Sequence, residues 1–107
     1  MWKVFDDSFD NAELIFPIKQ RAVGKMVEVC RKDSNVKRVI VFGSAVTSAC
    51  NPWSDIDIFF DLERDVSVFP STHDKTVYDK WNNFNASDEL LKEILENGVV
   101  VYDRIGE

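Results

Sequence analysis

One short segment constrains this chain more than any other. From Asp55 to Leu62 the side chains alternate, with Ile56, Ile58, Phe60 and Leu62 on one side and Asp55, Asp57, Phe59 and Asp61 on the other. A period of two predicts a β-strand with one apolar face turned inward. Asp55 and Asp57 then project their carboxylates from the same face. Two like charges about 4–5 Å apart repel by roughly 1 kcal/mol in water and about 4 kcal/mol at an effective dielectric of 20. Asp61 on that face adds to the repulsion, and a bound cation is a natural offset. The bland reading is a solvated acidic surface.

The neighbouring segments fill in the rest of a small α/β or α+β domain. Leu14, Ile15, Ile18, Ala22, Met26, Val29 and Cys30 follow helical spacing between Ala12 and Lys32, with Pro17 suited only to a first turn. Val36 to Phe42 reads as a β-branched strand closed by Gly43-Ser44. Thr76 to Trp81 predicts a third strand, and Val99 to Tyr102 a fourth. Between them Ser87 is an N-cap with Asp88 and Glu89 in the first turn, and Leu90, Leu91, Ile94 and Leu95 form the apolar stripe. Asn97-Gly98 should end that helix as a C-cap. Residues 63–75 read as irregular, with Pro70 among them. A chain of 107 residues predicts one domain, 1–107, large enough for its own core.

Composition excludes several classes. The longest apolar runs fall far short of the roughly 18 residues that a membrane span needs. The opening MWKVFDDSFD lacks an apolar stretch, so no signal peptide is expected. Cys30 and Cys50 have neither disulfide-scaffold nor zinc spacing and read as buried filler in a reducing, cytoplasmic setting. A net charge of −6 argues against a general nucleic-acid binder. The charge is uneven: residues 1–54 hold eight Lys/Arg against six Asp/Glu, whereas residues 55–107 hold five against thirteen.

The chemistry concentrates in Gly43-Ser44 and, ten residues later, Asp55-Ile56-Asp57. Gly43 allows close backbone approach at a strand end, and Ser44 offers a hydroxyl beside free N–H groups, an arrangement that suits phosphate oxygens. Paired carboxylates suit Mg²⁺, which is held by a few acids together with substrate phosphates. Either element alone is most often a turn or a wet surface. Adjacent and in this order, they are the minimum equipment for phosphoryl or nucleotidyl transfer.

Set out as VFGSAVTSACNPWSDIDIFFD, the segment resembles the signature of the minimal nucleotidyltransferases of the DNA polymerase β superfamily. The resemblance runs from about Val36 to the C-terminus, where KEILENGVVVYDR is similar to the closing helix and strand of these proteins. It implies an α-β-α-β-α-β core with a three-stranded mixed sheet. It also implies that Gly43 and Ser44 contact a nucleoside triphosphate and that Asp55 and Asp57 hold two Mg²⁺ ions. A third carboxylate on the next core strand would complete the site and deprotonate the acceptor hydroxyl; Asp79 is the best match and Asp74 the alternative. Many members carry an arginine soon after Gly-Ser, but Ala45-Val46-Thr47 supply none. The short segment between Asp57 and Asp79 also leaves little room for the helix that the family places there.

The expected function is Mg²⁺-dependent transfer of a nucleoside monophosphate, AMP from ATP in the first instance, to a hydroxyl acceptor. Members this small resemble the antitoxin half of toxin–antitoxin modules, which modifies a helical partner toxin. Small-molecule transfer of the aminoglycoside type usually comes with an extra helical domain, and a non-catalytic capping module of the same fold is the other alternative. Arg64 and His73 are too far apart to resemble the toxin's own motif. His73 reads as a surface residue, and Trp53 and Trp81, which could stack a base, read as packing residues. Lys19, Arg21, Lys25, Arg31 and Lys32 make the first helix a candidate docking face.

Overall fold

The computed structural model describes residues 2–66 and 78–104. A turn of 3-10 helix at Ala12–Leu14 precedes helix α1, Pro17–Arg31. Proline stands at the start of α1, where its missing N–H removes nothing the helix uses. Strands β1 (Val36–Phe42), β2 (Ile56–Leu62) and β3 (Tyr78–Asn82) follow, then helix α2 (Asp88–Asn97) and strand β4 (Val99–Asp103).

The strands form one mixed sheet in the order β3-β2-β1-β4. β1 runs antiparallel to both β2 and β4, while β2 and β3 are parallel. The sheet therefore has four strands, one more than the resemblance implied, because β4 adds to the edge of β1. Between β1 and β2 the chain makes only a 3-10 turn, Gly43–Val46. Most of the segment read as irregular between β2 and β3, where the family places a helix, lies outside the described residues, with Pro70, His73, Asp74 and Thr76.

Alternation along the strands sorts the side chains onto two cores. Ile56, Ile58, Phe60 and Leu62 join Val39 and Val41 beneath α1, whose Val23, Met26, Val27 and Cys30 are buried against them. Ile40, Phe42 and Phe59 face the other way and pack with Ile94 of α2, flanked by Trp81, Leu90 and Leu91. The acidic face of β2 is thus covered by a helix at Phe59 and left free toward Asp57. Both cysteines are free and buried, and burial, helped by Asp33, pushes the Cys30 thiol up to about 12.

Helix α2 starts as its sequence predicts, with Ser87 Oγ accepting the Leu90 N–H at 3.2 Å. Gly98 caps its end as expected, its N–H donating to the Ile94 carbonyl at 2.8 Å, but it is extended (φ −76°, ψ 160°) and not left-handed. A Cβ there would run into the Ile94 carbonyl and the Ile40 side chain, so glycine serves close approach of α2 to the sheet. Leu95 is 67% exposed and Ile18 51% exposed, so neither belongs to the stripe their spacing predicted. No helix among the described residues is long and apolar enough to cross a membrane.

Candidate active site

The site forms where β1 ends and β2 begins. Gly43 follows Phe42 with a φ of +74°, which favours glycine. A side chain at 43 would also collide with the Asp57 carboxylate. The 3-10 turn that follows is anchored at both ends. Ala45 carbonyl accepts the Phe16 N–H at 2.8 Å, and the Ser44 carbonyl accepts both the N–H and the hydroxyl of Thr47 at 3.0 Å. The Ser44 hydroxyl has no hydrogen bond among the described residues and is free to meet a ligand.

The connection to β2 closes on itself. Asn51 Oδ1 accepts the Trp53 N–H at 2.9 Å, and Ser54 Oγ accepts the Asn51 N–H at 3.1 Å. Asp55 comes next, exposed and one residue before β2, whose first residue is Ile56. Asp57 sits within the strand, opposite Phe42 on one side and alongside Asp79 on the other. Register partners share a face, so Asp57 and Asp79 project together, on the same face as Phe42, Phe59 and Trp81.

Electrostatics mark the same place. Burial raises the Asp57 carboxyl above its usual range; Asp79 raises it further through its charge and a carboxyl–carboxyl hydrogen bond, and then Asp55 and Glu93 add to the rise. Ion pairs between described residues lie elsewhere: Lys37–Asp61 at 3.7 Å, Arg38–Asp103 at 3.5 Å and Arg104–Glu63 at 3.0 Å. Asp61 therefore does not join the site, since it is paired at the far end of β2. Carboxylates gathered with no ion pair to a cation among the described residues suit a hard divalent ion. No three ligand-type side chains among the described residues close around one point. Mg²⁺ does not ask for that, because it takes one or two carboxylates and completes its shell with water and phosphate oxygens.

Of the expected residues, Asp57 meets Gly43 and is in register with Asp79, Asp55 reaches Asp57 through its charge, Ser44 follows Gly43 in the turn, and Asp74 falls outside the described residues. Glu93 was missed. It precedes Ile94, the residue of α2 buried against Phe59, so the apolar stripe of α2 held the signal once its face of the sheet was known. Trp81 packs on Phe42, ring centroids 5.5 Å apart, as a packing residue should. Trp53 is 86% exposed and does not. The basic face of α1 also shrinks: Lys19 is buried, while Arg31 donates to the Ser8 carbonyl at 3.0 Å and lies over the Tyr102 ring.

The model of the nucleotidyltransferase domain family matches residues 23–102, which take in every site residue just described. The chain belongs to that family, and its general class is that of the nucleotidyltransferases. No curated protein sequence matches it as a relative.

Proposed function

We propose that this protein transfers a nucleoside monophosphate, AMP from ATP, to a hydroxyl group on a partner protein in the cytoplasm, with Mg²⁺ held by Asp55, Asp57 and Asp79. The observation that carries the reading is the register pair Asp57–Asp79 beside the side-chain-free Gly43. Bound by these carboxylates, the metal would neutralise charge at the phosphates and on the leaving pyrophosphate. The Gly43–Val46 turn and the Ser44 hydroxyl receive phosphate oxygens. Asp79, exposed at the edge of the cluster, accepts the proton of the acceptor hydroxyl as its oxygen bonds to the α-phosphorus. The bond from that phosphorus to the bridging oxygen breaks, and pyrophosphate leaves with the electron pair.

A protein acceptor, a helical toxin in the first instance, follows from the resemblance of the motif segment to the antitoxin nucleotidyltransferases. Incubation with ATP, Mg²⁺ and the co-purifying or gene-neighbour protein, followed by intact mass measurement of that protein, tests the proposal: added AMP is expected. The second reading, a capping module, is favoured by the lack of any cation at residues 45–47. It requires a tight complex with no added mass, unchanged by Asp57→Asn.

A further inference from the structure

We propose that Lys19 is a positioning residue for the Asp55 carboxylate. Asp57 is placed by the sheet, through ladder partners on both sides. Asp55 precedes β2 and has no ladder partner among the described residues. What ties its segment down is α1. Lys19 Nζ donates to the Ser54 carbonyl at 2.5 Å and to the Pro52 carbonyl at 3.4 Å, across more than thirty residues of sequence. The side chain reaching there is only 6% exposed, and none of the ion pairs between described residues involves it.

A lysine ammonium is seldom buried without a carboxylate partner, because it gives up hydration that carbonyls only partly replace. An apolar side chain of the same length would fill the space without that penalty, so packing alone does not explain an amine here. Its donors are what the site uses. Asn51 and Ser54 close the 51–54 turn internally, and Lys19 fixes the closed turn to the helix, immediately before the peptide that carries Asp55. The charge also reaches the neighbouring Cys50 thiol, which it draws down against the larger effect of burial.

The inference rests on the reading of Asp55 as a metal ligand, and the test separates the two. Mn²⁺ is titrated by calorimetry into nucleotide-free wild type, Asp57→Asn, Lys19→Met and Lys19→Arg, each confirmed as folded by circular dichroism. Removing a nearby positive charge by itself would tighten a cation, so weaker binding reports displacement of the ligand. Lys19→Met is expected to weaken Mn²⁺ binding by about 10–100-fold, the range for loss of groups that orient metal ligands, and Lys19→Arg to recover most of it. Equal or tighter binding by folded Lys19→Met overturns the inference and leaves the metal reading standing. Wild type that binds no Mn²⁺ overturns both. Should the Met variant not fold, Lys19→Gln, whose amide stops one bond short of the carbonyl, carries the same expectation and the same refutation.

Discussion

The Asp57 carboxylate stands where a side chain on residue 43 would have to be, so the end of one strand and the start of the next share a space that only glycine leaves open. The Gly43–Val46 turn and the carboxylate cluster are one construction. Gly43→Ala is expected to cost about 2 kcal/mol or more, from a left-handed backbone forced on a Cβ and from displacement of Asp57. Urea unfolding measures it. A midpoint equal to wild type would contradict the close approach.

Charge repulsion at the site should appear as a stability cost that pH and mutation relieve. The folded state holds the Asp57 proton more tightly than the unfolded chain does. Its stabilising contribution is therefore fully present below the ordinary carboxylate pKa and is lost as pH rises through the raised folded value. Asp57→Asn should melt higher than wild type at neutral pH without metal, and the difference should close as the pH is lowered into the ordinary carboxylate range. Thermal melts across that window check the sign; a variant less stable than wild type at neutral pH would refute it.

Divalent metal should relieve the same repulsion. Millimolar Mg²⁺ or Mn²⁺ is expected to raise the melting temperature without nucleotide, because a ligand that binds only the folded state stabilises it by linkage. Asp57→Asn should lose most of that shift. Melting indifferent to both ions would count against the carboxylates as a metal platform.

Nucleotide binding should need both the metal and Ser44. Metal-free ATP meets an acidic site and should bind negligibly. Ser44→Ala should weaken Mg²⁺-dependent binding by about 1–3 kcal/mol, the loss of a hydrogen bond to a charged oxygen. Calorimetry with Mg²⁺ and with chelator measures both effects.

Local patterns in the sequence carried much of this site. The alternation of β2 is written in its own residues, and Gly43-Ser44 with Asp55 and Asp57 lie within fifteen positions of one another. The pairing of Asp57 with Asp79 is not local: it depends on a parallel register between two separate strands, and only the family resemblance pointed to it. Glu93 depends on which face of the sheet α2 covers. Lys19 was misread because lysine on a helix is expected in solvent, whereas here a carbonyl beyond the reach of local pattern draws it inside. Gly98 illustrates the same limit, since its contact with Ile40 joins distant segments.

The central claim is that the α-phosphorus of ATP is transferred to an acceptor under the control of Asp55, Asp57 and Asp79. The most direct measurement uses two preparations of ATP, radiolabelled at the α- or the γ-phosphorus, with Mg²⁺ and the gene-neighbour protein. The account predicts label on that protein from α-labelled ATP alone, release of the γ-label as pyrophosphate, and loss of transfer in Asp57→Asn. Label arriving from the γ-position, or α-label transferred equally well by the Asp57→Asn variant, would contradict it.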